Sequence, residues 1–331
     1  MKKFVNDPKQ FVAEFLEGVA LASDGALKYE PKYNLIYRAD MPKSDRVSII
    51  QGSGSGHEPA HTMIVGPGML DAACPGDVFA GPPVEFVTET SKLMDSPAGV
   101  LFIVNNYTGD RTAWEMAREL CEAEGQKIGY LLVNDDVAVK DSTWTVGRRG
   151  VAGNFFVIKA AAAKADKGGT LEECVAVGEK VIANVRTMGI ALSSCTPPVR
   201  GTPLFDIGDD EMEIGIGIHG EPGRERAKIV PANEIVDILL DAIVPDLPFN
   251  SGDEVAVMVN GLGGTPISEL YLLYGAAHKK LADKGITVFR SYVGEYCTSL
   301  DMAGASLTLV KLDNELNALF DAPAEIAVRV F

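Results

Sequence analysis

The sequence predicts an α/β protein of two domains, each a mainly parallel or mixed sheet covered by helices. Short apolar runs alternate along the chain with longer helical stretches, a pattern typical of sheets layered with helices. With 331 residues, the chain is also longer than one ordinary domain. A proline-rich connector, SSCTPPVRGTP, lies between two such alternating regions. We therefore expect an N-terminal domain over residues 1–190 and a C-terminal domain over residues 191–331.

The N-terminal half opens with an amphipathic helix that starts near residues 7–8. Apolar runs followed by glycine or polar residues then predict strands at residues 47–50, 99–104 and 128–133. Helical patterns predict helices at residues 111–124, 154–167 and 171–188. Because ligands of this fold class bind at the carboxyl ends of strands, the candidate binding loops are residues 52–57, 105–110 and 134–136.

The C-terminal half repeats the alternation after the connector. Apolar and β-branched runs predict strands at residues 211–218, 254–260, 287–291 and 305–311. One long helix is predicted at residues 266–284. We find no internal repeat, so the two halves are expected to be separate units of the same fold class.

Composition excludes several classes of function. The net charge of −16 repels polyanions, so nucleic acid is not expected as a partner. No apolar run reaches eighteen residues, so no membrane span is expected. The five cysteines are odd in number and lack CxxC spacing, which argues against a zinc site and a disulfide framework. These features together predict a cytoplasmic protein with free thiols and no metal site.

The segment QGSGSGHEPAH at residues 51–61 carries the strongest functional signal. His57 follows three alternating glycines at a strand end, and His219 stands in a similar setting, since SGHEP resembles IHGEPG. Histidine exchanges protons near neutral pH, and loops at strand ends often carry function. Asp110 directly follows another strand and is a candidate general base. The other two histidines, His61 and His278, are interpreted as structural.

Two further motifs remain open from the residues alone. The segment GLGGT at residues 261–265 follows a strand and precedes a helix, so it is either an anion site or, as we favour, a simple strand–helix turn. The basic island GRRG at residues 147–150 either faces an anionic ligand or pairs with Asp135, Asp136 and Asp141. No GxxxxGK[ST] motif for a nucleotide is present.

Several motifs in the same order resemble the K subunits of bacterial dihydroxyacetone kinases. The resemblance runs over almost the full chain and is carried by GSGSGHEPAH, GPGMLDAACPGDVFAGP, NYTGD, DDVAVKDS, GRRGVAG, GIALSSCT, GIGIHGEPG and CTSLDMAG. It implies two α/β domains, a homodimer and a short ketose as substrate. Unrelated convergence on this many ordered motifs is improbable.

The resemblance also assigns roles to individual residues. It implies that the ketose carbonyl carbon bonds to His219 as a hemiaminal and that Asp110 takes the proton from the terminal hydroxyl. It also implies that His57 hydrogen-bonds the substrate and helps to transfer protons while the hemiaminal forms. Further substrate contacts are expected from five positions in the matching loops: Gly54, Ser55, Gly56, Gly81 and Asn105.

The resemblance places the nucleotide outside this chain. No cofactor or metal is expected on the chain itself; ATP or ADP with Mg²⁺ is expected on a separate L subunit, which a phosphotransferase-system M subunit recharges in some bacteria. The chain is therefore not expected to be a complete kinase alone.

Two departures from the family pattern leave alternatives open. Asn105 stands where lysine is common, and Gly81 stands where serine is common. Both changes suggest a pocket for a larger ketose, such as the four-carbon erythrulose. A different class of function, a non-catalytic ketone-binding coregulator, is the second alternative.

Overall fold

The computed structural model describes residues 2–140 and 147–326, which form two six-stranded sheets with helices packed on them. This architecture confirms the predicted fold class. The change from one sheet to the other comes in the middle of the chain, because the first six strands end at Val133 and the next begins at Val185. In the described part of the chain, no helix is long and apolar enough to cross a membrane.

The first sheet is mainly parallel. Its strands are β1 (Leu27–Glu30), β2 (Leu35–Arg38), β3 (Ser48–Gln51), β4 (Ala72–Ala73), β5 (Val100–Asn105) and β6 (Ile128–Val133). Their order is β1-β2-β4-β3-β5-β6, in which β3 to β6 run parallel and β2 runs antiparallel to both its neighbours. Every residue of β3 and β5 is buried, as expected for central strands covered on both faces. The adjacent carboxyl ends of these two strands bring their loops together.

Five helices cover this sheet: α1 (Phe11–Leu21), α2 (Val84–Met94), α3 (Thr108–Ala123), α4 (Asn154–Asp166) and α5 (Leu171–Asn184). Helix α4 is buried on nearly every face because α5 lies on one side of it and β3 and β5 on another. Its sequence, NFFVIKAAAAKAD, fits this environment, because its apolar residues lie on every side of the helix and not on one face.

The second sheet is mainly antiparallel. Its strands are β7 (Val185–Ala191), β8 (Glu211–Ile214), β9 (Glu225–Lys228), β10 (Glu254–Gly261), β11 (Thr287–Glu295) and β12 (Gly304–Lys311). Their order is β11-β10-β12-β7-β8-β9, in which only the pair β10 and β11 is parallel among the described strands. Helices α6 (Ala232–Asp246) and α7 (Ile267–Asp283) pack on it, whereas α8 (Asn314–Phe320) returns to α4.

The predicted helix at residues 171–188 is wrong at its end. Helix α5 stops at Asn184, and residues 185–188 are the start of β7, where Val185, Thr187 and Met188 pair with β12. Sheet pairing supplies hydrogen bonds that the local helical pattern does not reveal. The division at residue 190 stays a prediction; β7, which spans that position, is hydrogen-bonded into the second sheet.

Candidate active site

The alternating glycines after β3 let another loop of the same chain lie against them. A Cβ on Gly52 would overlap the carbonyl oxygen of Cys74, and a Cβ on Gly54 would lie 2.7 Å from the backbone of Phe79. Gly56 has a φ of 98°, which favours glycine, and a Cβ there would lie 2.8 Å from the Phe79 ring. The glycines therefore fit the protein's own loop, a reason that the sequence analysis did not foresee.

The two histidines of the related motifs meet between the two sheets. The Nε2 atoms of His57 and His219 are 3.0 Å apart. The other ring nitrogen of His57, Nδ1, contacts the carbonyl oxygen of Thr298 at 2.8 Å, in the loop after β11. The Phe79 ring stacks on His57 with centroids 5.1 Å apart. Burial, together with the neighbouring His219, holds the pKa of His57 well below its usual range, so His57 is neutral.

Glu221 holds the other side of His219. One carboxylate oxygen contacts His219 Nδ1 at 2.9 Å, and the other accepts from the His219 backbone N–H at 2.9 Å. Burial raises the pKa of Glu221, but His219 and Arg149 outweigh this effect and lower the pKa to about 2. Glu221 is therefore a carboxylate at neutral pH. Glu221 was not predicted from the sequence, although a glutamate follows the histidine in both SGHEP and IHGEPG.

Asp110 lies in the first turn of α3, directly after β5. Its Oδ2 accepts a hydrogen bond of 2.6 Å from the Ser53 hydroxyl, whereas its Oδ1 is buried without a hydrogen-bond partner among the described residues. Burial raises the pKa of Asp110 to about 6, even though Ser53 and His219 act in the opposite direction. A carboxylate with a pKa just below neutral and a free oxygen is suited to accept a proton.

Asp110 and His219 line the same open cavity, whose volume is about 460 Å³. The structure thus places these two predicted residues at one site. The other residues in the wall of the cavity are Ser53, Gly54, Phe79, Ala80, Gly81, Tyr107, Thr108, Gly109 and Leu204. The Tyr107 ring stands edge-on to His219, with centroids 4.5 Å apart. Phe79, Tyr107 and Leu204 were not predicted, because an apolar residue in a loop carries no distinctive sequence signal.

Other predicted contact residues lie outside the cavity wall. His57 is fully buried behind His219, and Gly56 donates its N–H to Glu58. Ser55 turns its hydroxyl to the carbonyl of Gly76, so Ser53 is the serine that faces the cavity. Asn105 is buried beside Asn154 at the end of β5.

Gly81 lies in the wall but does not enlarge the cavity. A Cβ at Gly81 would lie 2.5 Å from Asp110 Oδ1, so the space of the missing side chain is taken by the Asp110 carboxylate. The departures at Gly81 and Asn105 thus give no structural support to a larger pocket. The preference for a longer ketose stays a prediction.

The other two histidines, His61 and His278, are not part of the cavity wall. His61 is buried with Nδ1 at 2.5 Å from Gln51 Oε1, and His278 lies exposed on α7. Within residues 2–140 and 147–326, no group of three or more His, Cys, Asp or Glu is placed to hold a metal ion.

The basic island pairs with acidic side chains. Arg149 donates to Asp136 at 2.6 Å, as one of the two interpretations predicted, and also to the carbonyl of Gly215 at 2.7 Å. Asp135 instead accepts from the backbone N–H groups of Val151 and Gly153. Arg148 pairs with Asp246, which the sequence analysis did not name. Asp141 lies outside the described residues.

Sequence comparison supports one family. The model of the Dak1 domain matches residues 17–328. A relative from Listeria innocua serovar 6a, the dihydroxyacetone-binding subunit DhaK of a PTS-dependent dihydroxyacetone kinase, is 47% identical over 315 residues, which is 95% of each chain.

Solved structures agree with this relationship. The chain resembles the dihydroxyacetone kinase operon co-activator Dha-DhaQ with a TM-score of 0.90 and 31% identity, over 96% of this chain and 97% of that one. It also resembles the dihydroxyacetone kinase of C. freundii with a TM-score of 0.87 and 31% identity, over 99% of this chain and 60% of that one. The chain belongs to the Dak1 domain family.

Proposed function

We propose that this chain is the ketose-binding subunit of a dihydroxyacetone kinase-type phosphotransferase, with His219 as the covalent attachment point. One observation carries the proposal: Asp110 from the first sheet and His219 from the second line one cavity, and His57 contacts His219 from behind. The family supports the same activity, since the Listeria relative is named as a dihydroxyacetone-binding subunit.

A covalent bond to histidine would select the substrate by its carbonyl group. An imidazole nitrogen adds reversibly to a ketone but not to an alcohol, so dihydroxyacetone would be retained and glycerol would not. The bond would also fix the terminal hydroxyl for in-line transfer. Asp110 Oδ1, which has no hydrogen-bond partner among the described residues, would take the proton from that hydroxyl.

The phosphoryl donor would come from a partner. The sequence contains no P-loop motif, and we propose that a separate L subunit carries ATP or ADP with Mg²⁺. An M subunit of the phosphotransferase system would recharge that nucleotide where phosphoenolpyruvate is the donor. We also propose that the chain acts in the cytoplasm as a homodimer.

A second function, ketone sensing without catalysis, is favoured by one observation. The solved co-activator Dha-DhaQ resembles this chain over nearly the full length of both. A sensor would need a residue that binds the ketone but no general base. The buried Asp110 with its raised pKa is therefore the feature that favours catalysis over sensing.

The experiment is reconstitution with an L subunit. The purified chain is mixed with the L subunit of a dihydroxyacetone kinase and magnesium-ATP, and phosphorylation of dihydroxyacetone and erythrulose is measured by ADP release. Turnover that needs both proteins supports the kinase function. The ketose that is phosphorylated faster identifies the carbon-chain length of the natural substrate. Ketone binding without turnover on either ketose, with every L subunit tried, would favour the sensor.

A further inference from the structure

The contacts of His57 and His219 fix how many protons the free site holds. His57 Nδ1 faces the carbonyl oxygen of Thr298, and His219 Nδ1 faces a carboxylate oxygen of Glu221. Both partners accept hydrogen bonds, so each Nδ1 carries a hydrogen. In two neutral imidazoles with this pattern, both Nε2 atoms would present lone pairs to each other across 3.0 Å. A third proton between the nitrogens removes that repulsion.

We infer that the ligand-free site holds one extra proton between His57 and His219 and that the Glu221 carboxylate balances its positive charge. When a ketose binds, a carbon atom replaces this proton on His219 Nε2. The inference rests on the proposed function. The proton belongs to His219, because its Nδ1 faces a negative oxygen, whereas that of His57 faces a neutral carbonyl. Glu221 is a positioning residue in this scheme, since it acts on the ketose only through His219.

The addition balances without any proton from solvent. His219 passes its Nε2 proton to the Nε2 lone pair of His57, which frees the His219 nitrogen. That nitrogen bonds to the carbonyl carbon, the C=O π electrons move to oxygen, and His57 returns the proton to that oxygen. His219 then carries carbon on Nε2 and hydrogen on Nδ1, so it is again a cation. Its counter-ion before and after is the Glu221 carboxylate.

The distance between the two histidines requires the His219 ring to move when the ketose bonds to it. The two Nε2 atoms are 3.0 Å apart, a gap too small for a carbon atom between them. The His219 ring must therefore shift toward the cavity, where it is already partly exposed, when the bond forms. The hydrogen bond to His57 holds the ring in place until a ketose arrives.

Calorimetry tests the proton count on the wild-type protein. Dihydroxyacetone is titrated into the protein at neutral pH in two buffers with different ionisation enthalpies, which measures the protons exchanged on binding. The expected number is close to zero. Uptake of one proton per site would show that the free histidine pair is neutral and would overturn the inference, while the covalent bond and the proposed function would stand.

Nitrogen NMR of the ligand-free protein gives an independent reading. With ¹⁵N-labelled histidine, both ring nitrogens of His219 should have imidazolium shifts, whereas His57 should appear as a neutral ring protonated at Nδ1. The signals are assigned with His219→Ala and His57→Ala. Two neutral rings would overturn the inference, whether or not any ketose binds.

A matched pair of variants tests Glu221. Glu221→Gln keeps the shape but removes the counter-ion, so the dihydroxyacetone adduct should weaken about 10- to 100-fold. The control is Glu58→Gln in the related motif, whose carboxylate accepts from the Gly56 N–H, not from an imidazole. We expect the control to bind normally. Equal effects of the two variants would contradict the role of Glu221, and should Glu221→Gln not fold, the wild-type calorimetry and NMR decide.

Discussion

The Nε2 atoms of His57 and His219 lie 3.0 Å apart, although 162 positions separate the two residues in the chain. His57 stands on a loop after β3 in the first sheet, and His219 follows β8 in the second. The contact therefore exists only when the two halves pack against each other. Because Thr298 also contacts His57, the second sheet holds both histidines in place.

Asp110→Asn should remove most phosphoryl transfer but preserve the covalent adduct. Asparagine has nearly the same shape but cannot accept the hydroxyl proton, so turnover in the reconstituted kinase should fall about 100- to 10,000-fold. The adduct is measured separately by mass spectrometry. Glu119→Gln, an exposed change on the same helix, is the control and should be fully active. Loss of the adduct in Asp110→Asn would mean that Asp110 shapes the site instead of acting as the base.

The reconstituted kinase should lose activity in mild acid. The pKa of Asp110 is about 6, and a general base works only when deprotonated, so turnover should decline as the pH falls through about 6. Ser53 donates a hydrogen bond to Asp110 and opposes the raised pKa. Ser53→Ala should therefore move the acid limb to higher pH. A pH–rate profile unchanged by Ser53→Ala would argue against Asp110 as the titrating group.

Asp110→Asn should also stabilise the fold at neutral pH. The Asp110 carboxyl has a pKa of about 6 in the folded protein, compared with an ordinary value of 3.8. It therefore binds a proton more tightly in the folded state than in the unfolded state. Ionising it therefore costs stability above about pH 6, and this cost disappears as the pH falls below about 4. The free energy of unfolding of the variant should exceed that of the wild type by about 1–3 kcal/mol above pH 6. Urea denaturation at neutral and acidic pH measures the difference; a gain that persists in acid would have another cause.

The glycine loop should tolerate no side chain at residue 54. A Cβ there would lie 2.7 Å from the backbone of Phe79, so Gly54→Ala should destabilise the protein by about 1–3 kcal/mol and weaken ketose binding. Gly18→Ala is the matched control, because no atom lies within 4 Å of its Cβ and the position is an exposed part of α1. It should stabilise by about 0.5–1 kcal/mol. Thermal melts compare the two, and an unaffected Gly54→Ala would contradict the packing of Phe79.

The sequence predicted the strands that carry the site because their signal is local. Residues 128–133 form β6 as expected, and the apolar runs near residues 50 and 100 became the buried strands β3 and β5. The loops after strands β3 and β5 then placed His57 and Asp110 at one edge. The related motifs SGHEP and IHGEPG singled out His219 and the resemblance supplied its covalent role, but its position against His57 depends on contacts far apart in sequence.

Other features were not predictable from local pattern. Strand β4 has only two residues, and β9 is a mostly exposed strand of sequence ERAK, so neither shows an apolar run. Glu221 and Ser53 are ordinary polar residues whose roles come from their neighbours. The purpose of the glycines was also hidden, because the loop that packs on them lies more than twenty residues further along the chain.

Covalent attachment of the ketose to His219 can be measured by intact-protein mass spectrometry after soaking with dihydroxyacetone under gentle conditions. We predict an adduct with the mass of one dihydroxyacetone on the wild type and none on His219→Ala. A parallel soak with erythrulose compares the two chain lengths. No adduct with either ketose, or an adduct that survives in His219→Ala, would contradict a hemiaminal on this residue.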